Sequence, residues 1–294
     1  MMNISAKLVM ELRGKTDAGM MDCKKALIET NGDLQAATDY LREKGISKAA
    51  KKASRIAAEG LVFNAISDDA KIAVLVEFNS ETDFVAKNKD FKNFGNLLTK
   101  LVIENELKSV DELKAIEIDG STIEFKLSEL ISKIGENMNI RRFARVTSAS
   151  FVTTYLHMGG KIGVALQLDG DVTDENKAKA KDIAMHVAAM SPDFLDKSEV
   201  TQEILDKERS ILKAQLIEQG KPESIIDKIL IGKMNKFFEE NCLLQQKFVK
   251  DDKVTVENYA GNMKIVSVVR FKLGEGLEKR NEDFAAEVAE QMKG

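Results

Sequence analysis

One order of elements occurs twice along this chain, and that repetition restricts the fold more than any other feature. Leu61–Ile66 and Lys71–Phe78 flank the turn signal Ser67-Asp68-Asp69, with Ile72, Val74, Val76 and Phe78 alternating at period two. A helical spacing follows in Phe91, Phe94, Leu97, Leu98 and Leu101. Further on, Val152–Leu156 and Lys161–Asp169 flank Met158-Gly159-Gly160, with Ile162, Val164, Leu166 and Leu168 alternating. A helix carrying Ala178, Ile183, Ala184, Val187 and Ala188 comes next. Hairpin then helix, twice, implies an α+β protein with two related subdomains, each a small antiparallel sheet covered by helices. Asn139–Val146 reads as another strand, and a strand over Lys264–Leu273 is expected to complete the second sheet.

The remaining segments are helical. Residues 4–45 read as three short helices: Ile4, Leu8 and Leu12 on the first, Met20, Met21, Cys23, Ala26 and Leu27 on the second, and Leu34, Ala37 and Leu41 on the third. Gly45 is expected to close the third helix, and Ile46–Glu59 reads as a basic helical stretch with Lys48, Lys51, Lys52 and Arg55. That stretch is either a solvated helix face or a docking strip for an acidic partner. The two adjacent methionines either fill gaps in a core or offer an adaptable contact surface. From Pro192 onward, Ile204-Leu205, Ile211-Leu212 and Leu216 form a stripe, Gly220-Lys221-Pro222 breaks it, and Ile225, Ile229, Met234 and Phe237 begin another. This is an antiparallel helical hairpin. Gly274-Glu275-Gly276 reads as a hinge before a terminal helix over Asp283–Met292. The expected domains are 1–55, a helical head; 56–148, the first subdomain; 149–190 with 239–274, the second; 191–238, the helical hairpin; and 275–294, a C-terminal module.

Asn79–Asp90 lies at a strand-to-helix junction, where a scaffold can present side chains outward. Phe84, flanked by Thr82, Asp83 and Val85, either folds back into the core or is offered to a partner.

Several function classes find no support. The chain of 294 residues has a net charge of −4, which is no signature of polyanion binding, although Arg141, Arg142 and Arg145 around Phe143 could contact nucleic acid or form ion pairs. Cys23 and Cys242 are far apart and show no disulfide framework or zinc spacing. Gly14-Lys15-Thr16 imitates the end of a phosphate-binding loop, but Val9 stands where the motif needs glycine, and the preceding segment is helical. His157 and His186 have no nucleophile placed beside them by any motif. Neither a signal peptide nor an apolar run of roughly 20 residues occurs, so a cytoplasmic protein is expected, with no membrane association, no cofactor and no bound metal. A multi-point binding protein is expected rather than an enzyme.

A set of ordered matches sharpens this reading. Glu11-Leu12-Arg13, the run from Ala18 to Leu27, Asn31-Gly32-Asp33, Thr82-Asp83-Phe84-Val85-Ala86, Ile134-Gly135-Glu136-Asn137, His157, Ile162-Gly163-Val164, Ala184 to Ala189 and Asp283 to Ala289 resemble the bacterial elongation factor Ts family. The matches span residues 4–292; Lys247 departs from the pattern, since the family often carries proline before Phe-Val. The resemblance implies a guanine-nucleotide exchange factor for elongation factor Tu, the GTPase that delivers aminoacyl-tRNA to the ribosome. It implies that the head, similar to ubiquitin-associated-type bundles, binds the GTPase domain through Leu12, Met20 and Met21. It implies that Thr82, Asp83, Phe84 and Val85 enter near the nucleotide-bound magnesium. It implies that the second lobe and tail, with His157, Phe284 and Val288, grip the partner elsewhere. The hairpin 191–238 mediates self-association in some members, which makes a homodimer an expectation. A helix-bundle adaptor that binds without exchanging nucleotide is the alternative.

Overall fold

The structure, a computed structural model, describes residues 4–16 and 18–278. The terminal helix expected over Asp283–Met292, with Phe284 and Val288, lies outside the described residues. The α+β class is borne out. The chain divides into two compact units, Met1–Phe63 with Val76–Phe143 and Leu273–Gly294, and Asn64–Leu75 with Ala144–Lys272.

The first unit begins with α1 (Ala6–Thr16), α2 (Met20–Glu29) and α3 (Leu34–Lys52), packed around Val9, Leu12, Cys23, Ala26, Leu27 and Ala37. Asp33 caps α3 by accepting a hydrogen bond from the Ala36 amide at 2.9 Å. Gly45 does not end this helix, contrary to the sequence-based expectation; α3 runs on to Lys52 and takes in the first part of the basic stretch, leaving Arg55 beyond its end. A glycine stops a helix only where the chain leaves the helical conformation. Here packing against a later helix holds the continuation in place: Ala49 is buried, and a Cβ at Gly45 would sit 3.9 Å from Ser132.

Strands β1 (Glu59–Ile66) and β2 (Ile72–Ser80) form the first hairpin. They are followed by α4 (Lys89–Glu104), α5 (Val110–Ala115), the short β3 (Glu117–Ile118) and β4 (Ser121–Thr122), α6 (Ile123–Ile134) and β5 (Met138–Thr147). The sheet order is β1-β2-β5, so β2 is central and hydrogen-bonded on both sides. That explains its near-continuous burial, as both faces and both edges are covered. α4 lies on this sheet through aromatic contacts. Phe78 stacks on Phe91 with ring centroids 4.4 Å apart, and Phe94 lies 5.3 Å from Phe78. Gly95 permits the close approach, because a Cβ there would fall 2.3 Å from the Phe63 ring. Gly95→Ala is therefore expected to destabilise the protein by roughly 1–3 kcal/mol through overpacking, read as a lower thermal midpoint by far-UV circular dichroism.

In the second unit β6 (Phe151–His157), β7 (Ile162–Asp169) and β10 (Lys264–Lys272) form a sheet in the order β10-β7-β6, antiparallel throughout. Phe151, Leu168 and Ile265 align across the three strands and bury one face beneath α7 (Asp174–Met190). A small hairpin, β8 (Lys247–Phe248) with β9 (Asp251–Thr255), and α10 (Val256–Ala260) close the core. His186 is a core residue. Its Nδ1 accepts from the Val249 amide at 3.1 Å, so the proton is on Nε2, which donates to Gln246 Oε1 at 2.9 Å. Burial pushes its pKa down and the Gln246 bond only partly opposes that.

α8 (Gln202–Glu218) and α9 (Glu223–Asn241) form the antiparallel arm, joined by Leu216, Ile226 and Leu230. Its base is closed by backbone bonds from Leu243 to Phe194 (2.9 Å) and from Leu244 to Leu195 (3.0 Å).

Candidate functional site

The loop after β2 follows from its neighbours in the chain. Strand pairing holds the backbone as far as Ser80, and Asn88 begins α4 by accepting from the Asp90 amide at 2.7 Å. Between these anchors Val85 and Ala86 are buried in a short 3-10 turn. The same turn points Phe84 the other way, and that ring is 75% exposed. Of the two fates open to Phe84, the structure shows the outward one. Asp83 is also exposed and lies 3.7 Å from Lys87, whose ammonium sits over the Phe84 ring at 5.2 Å from its centroid. Thr82 is half-buried: its amide donates to Glu136 Oε2 at 2.9 Å and its hydroxyl to Glu136 Oε1 at 2.7 Å. The Ser80 hydroxyl donates to the Thr82 carbonyl at 2.8 Å. Thr82, Asp83, Phe84 and Val85 thus share one loop but not one role, since two face solvent and two hold the loop down.

Glu136 and Asn137 belong to this site and were not expected in it. Their place in the sequence carries a local signal. Gly135 follows the apolar pattern of α6 and ends that helix in a left-handed conformation, with φ 93°. A polar pair directly after such a stop lies at a helix exit, where loops meet.

The other candidates are distributed over the surface and the core. Met20 and Met21 are 51% and 75% exposed, at the start of α2. Leu12 is fully buried in the bundle. It has no surface to offer, since it packs in the core of the bundle with Val9, Cys23 and Leu27. His157 is partly exposed at the end of β6, with Nδ1 3.3 Å from the Tyr155 hydroxyl, beside the exposed Met158. Arg141 and Arg142 are committed to a buried carboxylate: Glu77 accepts from them at 2.8 and 2.6 Å. Ion pairing therefore accounts for them without nucleic acid.

In the stretch expected to form a hinge, Gly274 and Glu275 are tied down. Gly274 donates its amide to Glu77 Oε1 at 2.8 Å, Arg141 donates to the Glu275 carbonyl, and Arg142 lies 3.4 Å from the Glu275 carboxylate. A Cβ at Gly274 would meet the Ala58 carbonyl, and its φ is +67°. Among the described residues no helix is long and apolar enough to cross a membrane, and no cluster of His, Cys, Asp or Glu is arranged to hold a metal ion.

The class these features define is an α+β protein that leaves Phe84 exposed on a tethered loop and Met20 and Met21 exposed on its helical bundle. The family model described as Elongation factor TS matches residues 81–275. The chain is 50% identical to elongation factor Ts of Halothermothrix orenii over 299 residues, covering 99% of each chain. It is 50% identical to that of Nitratiruptor sp. over 305 residues, covering 99% of this chain and 100% of the relative. It is 49% identical to that of Clostridium kluyveri over 304 residues, covering 99% of both. The chain belongs to the elongation factor Ts family.

Proposed function

We propose that this protein is a guanine-nucleotide exchange factor that binds elongation factor Tu carrying GDP and speeds GDP release, without catalysing a chemical reaction. The observation that carries the reading is Phe84, an aromatic ring 75% exposed on a loop tethered at both ends. GDP on such a GTPase is held by backbone amides of a phosphate loop and by magnesium. Phe84 and Asp83 enter beside that site and displace the elements holding the ion. Loss of a large local positive charge weakens the grip on the phosphates. Contacts by the head, the second unit and the tail offset the energy of that distortion. Linkage makes the effect reciprocal: if the factor weakens GDP, GDP weakens the factor equally, so the ternary complex decays by loss of either.

In this reading Met20 and Met21 supply the head's contact and His157 the second unit's. Phe284 and Val288, outside the described residues, supply the tail's. Met21→Ala is expected to raise the half-saturating factor concentration several-fold, roughly 1 kcal/mol, with the bundle still folded. Leu12→Ala is expected to lower the stability of the head by about 2–5 kcal/mol instead. Exchange titrations beside thermal melts separate the two. A homodimer through the arm is supported by Ile211, Ile217, Ile225 and Ile231, each 41–62% exposed.

The direct test is release of a fluorescent GDP analogue from elongation factor Tu, using this protein and a variant with Thr82–Val85 replaced by alanines. Acceleration by the native chain that the variant largely loses supports both function and site. Binding without acceleration by the native chain would favour the adaptor reading.

A further inference from the structure

The loop carrying Phe84 and the exit of the helical head are bonded to the same turn. After Gly135 ends α6, the Glu136 carboxylate takes both Thr82 bonds, at 2.9 and 2.7 Å. The Asn137 amide donates to Glu81 Oε1 at 2.5 Å, and the Asn137 side chain donates to the Arg55 carbonyl at 2.7 Å. Arg55 lies just beyond α3, the last helix of the head, and its guanidinium is 3.4 Å from Glu81. Lys52, the last residue of α3, donates to the Gly135 carbonyl. Asn137 is 7% exposed and the Glu81 side chain 9%, so the bond between them is largely shielded from water.

We propose that Glu136 and Asn137 are positioning residues of the exchange reaction, holding the Phe84 loop in place and in fixed register with the exit of the helical head. The proposal rests on the exchange reading above. The loop tip itself makes few contacts that could orient it, as Asp83 and Phe84 face solvent. Orientation is imposed from Thr82 on one side and buried Val85 on the other. Thr82 is held by two bonds to a carboxylate, the stronger class of hydrogen bond. Released from Glu136, the loop must be ordered anew at each encounter. Tied to Arg55 through Asn137 and Glu81, it stands at a set distance from the end of α3.

The test is a titration of the full-length protein against elongation factor Tu loaded with a fluorescent GDP analogue, separating the saturating release rate from the half-saturating concentration. Glu136→Ala and Asn137→Ala are each expected to lower the saturating rate by about tenfold, the equivalent of re-ordering one backbone residue. The half-saturating concentration should change by less than about twofold, since the docking surfaces are untouched. Glu136→Gln keeps the shape and one acceptor and should recover part of the rate. Thr82→Val loses one of the two bonds and should act in the same direction, more weakly. Adding it to Glu136→Ala should have little further effect, because both break one contact. Unchanged saturating rates in variants with native melting curves would overturn the proposal, as would a change confined to half-saturation or strictly additive effects. If Glu136→Ala fails to fold, Thr82→Val and Glu136→Gln decide on the same criteria. A parallel Phe84→Ala sample separates the two levels. If it too releases GDP at the native saturating rate, the loop reading itself fails. If it is slow while Glu136→Ala is not, only the positioning role fails.

Discussion

Phe84→Ala is expected to slow GDP release from elongation factor Tu, at saturating factor, more than any other single truncation in the loop. The ring is 75% exposed in the free protein, so it makes little contribution to the fold that could be lost. Its apolar area is available to be buried on engagement. Burying a Phe side chain contributes about 1.5–3 kcal/mol, and if that energy acts in the displacement step its loss slows release by about tenfold to a hundredfold. Asp83→Ala should have a smaller effect, because a wedge acts chiefly by volume and Asp83 already shares its charge with Lys87 at 3.7 Å. Stopped-flow release rates for the two variants decide this; Asp83→Ala the slower of the two would refute the wedge. Thermal midpoints of both should match the native protein, as exposed substitutions away from the core shift stability little.

Glu77→Gln is expected to have the largest effect on stability. Glu77 is fully buried in β2, and its oxygens accept from Arg141, Arg142 and the Gly274 amide. Burial pushes its carboxyl up, but the bonds from Arg141, Gly274 and Arg142, with the Arg142 charge, outweigh it and hold the pKa below the usual 4.5. Removing one partner of such a buried cluster leaves the arginines uncompensated, a loss of about 3–5 kcal/mol. The sign of the pH dependence follows from the lowered value. The contribution is fully present above pH 4.5, the ordinary carboxyl value, and is lost as pH falls through the depressed folded value. Melting curves should therefore show native and variant far apart at pH 7 and converging as the pH drops below 4.5. Equal separation at both pH values would exclude the charged carboxylate as the source. The change should also loosen the Gly274–Glu275 turn, visible as faster amide exchange at Gly274.

The sequence by itself determined the α+β class, the repeated hairpin-then-helix order and the arm. These rest on local properties, strand alternation and helical spacing, which act within a few positions. It also placed Phe84 at a junction, and family resemblance singled out the whole stretch from Thr82 to Val85. Whether the ring pointed in or out could not be read there, since both are compatible with one pattern of residue types. Tertiary structure decided it, because burial of Val85 and Ala86 and the grip of Glu136 on Thr82 turn the ring outward. The same limit explains Leu12, a residue with a surface role in expectation and a core position in fact. It explains Gly45, which stays helical because later residues pack against it. It explains Gly274-Glu275-Gly276 most plainly. Glycines permit a hinge, but Glu77, 197 positions earlier, supplies the acceptor that ties the turn down. Contacts so distant in sequence leave no periodic trace, and only the folded chain brings a buried carboxylate to the place where its charge decides the structure.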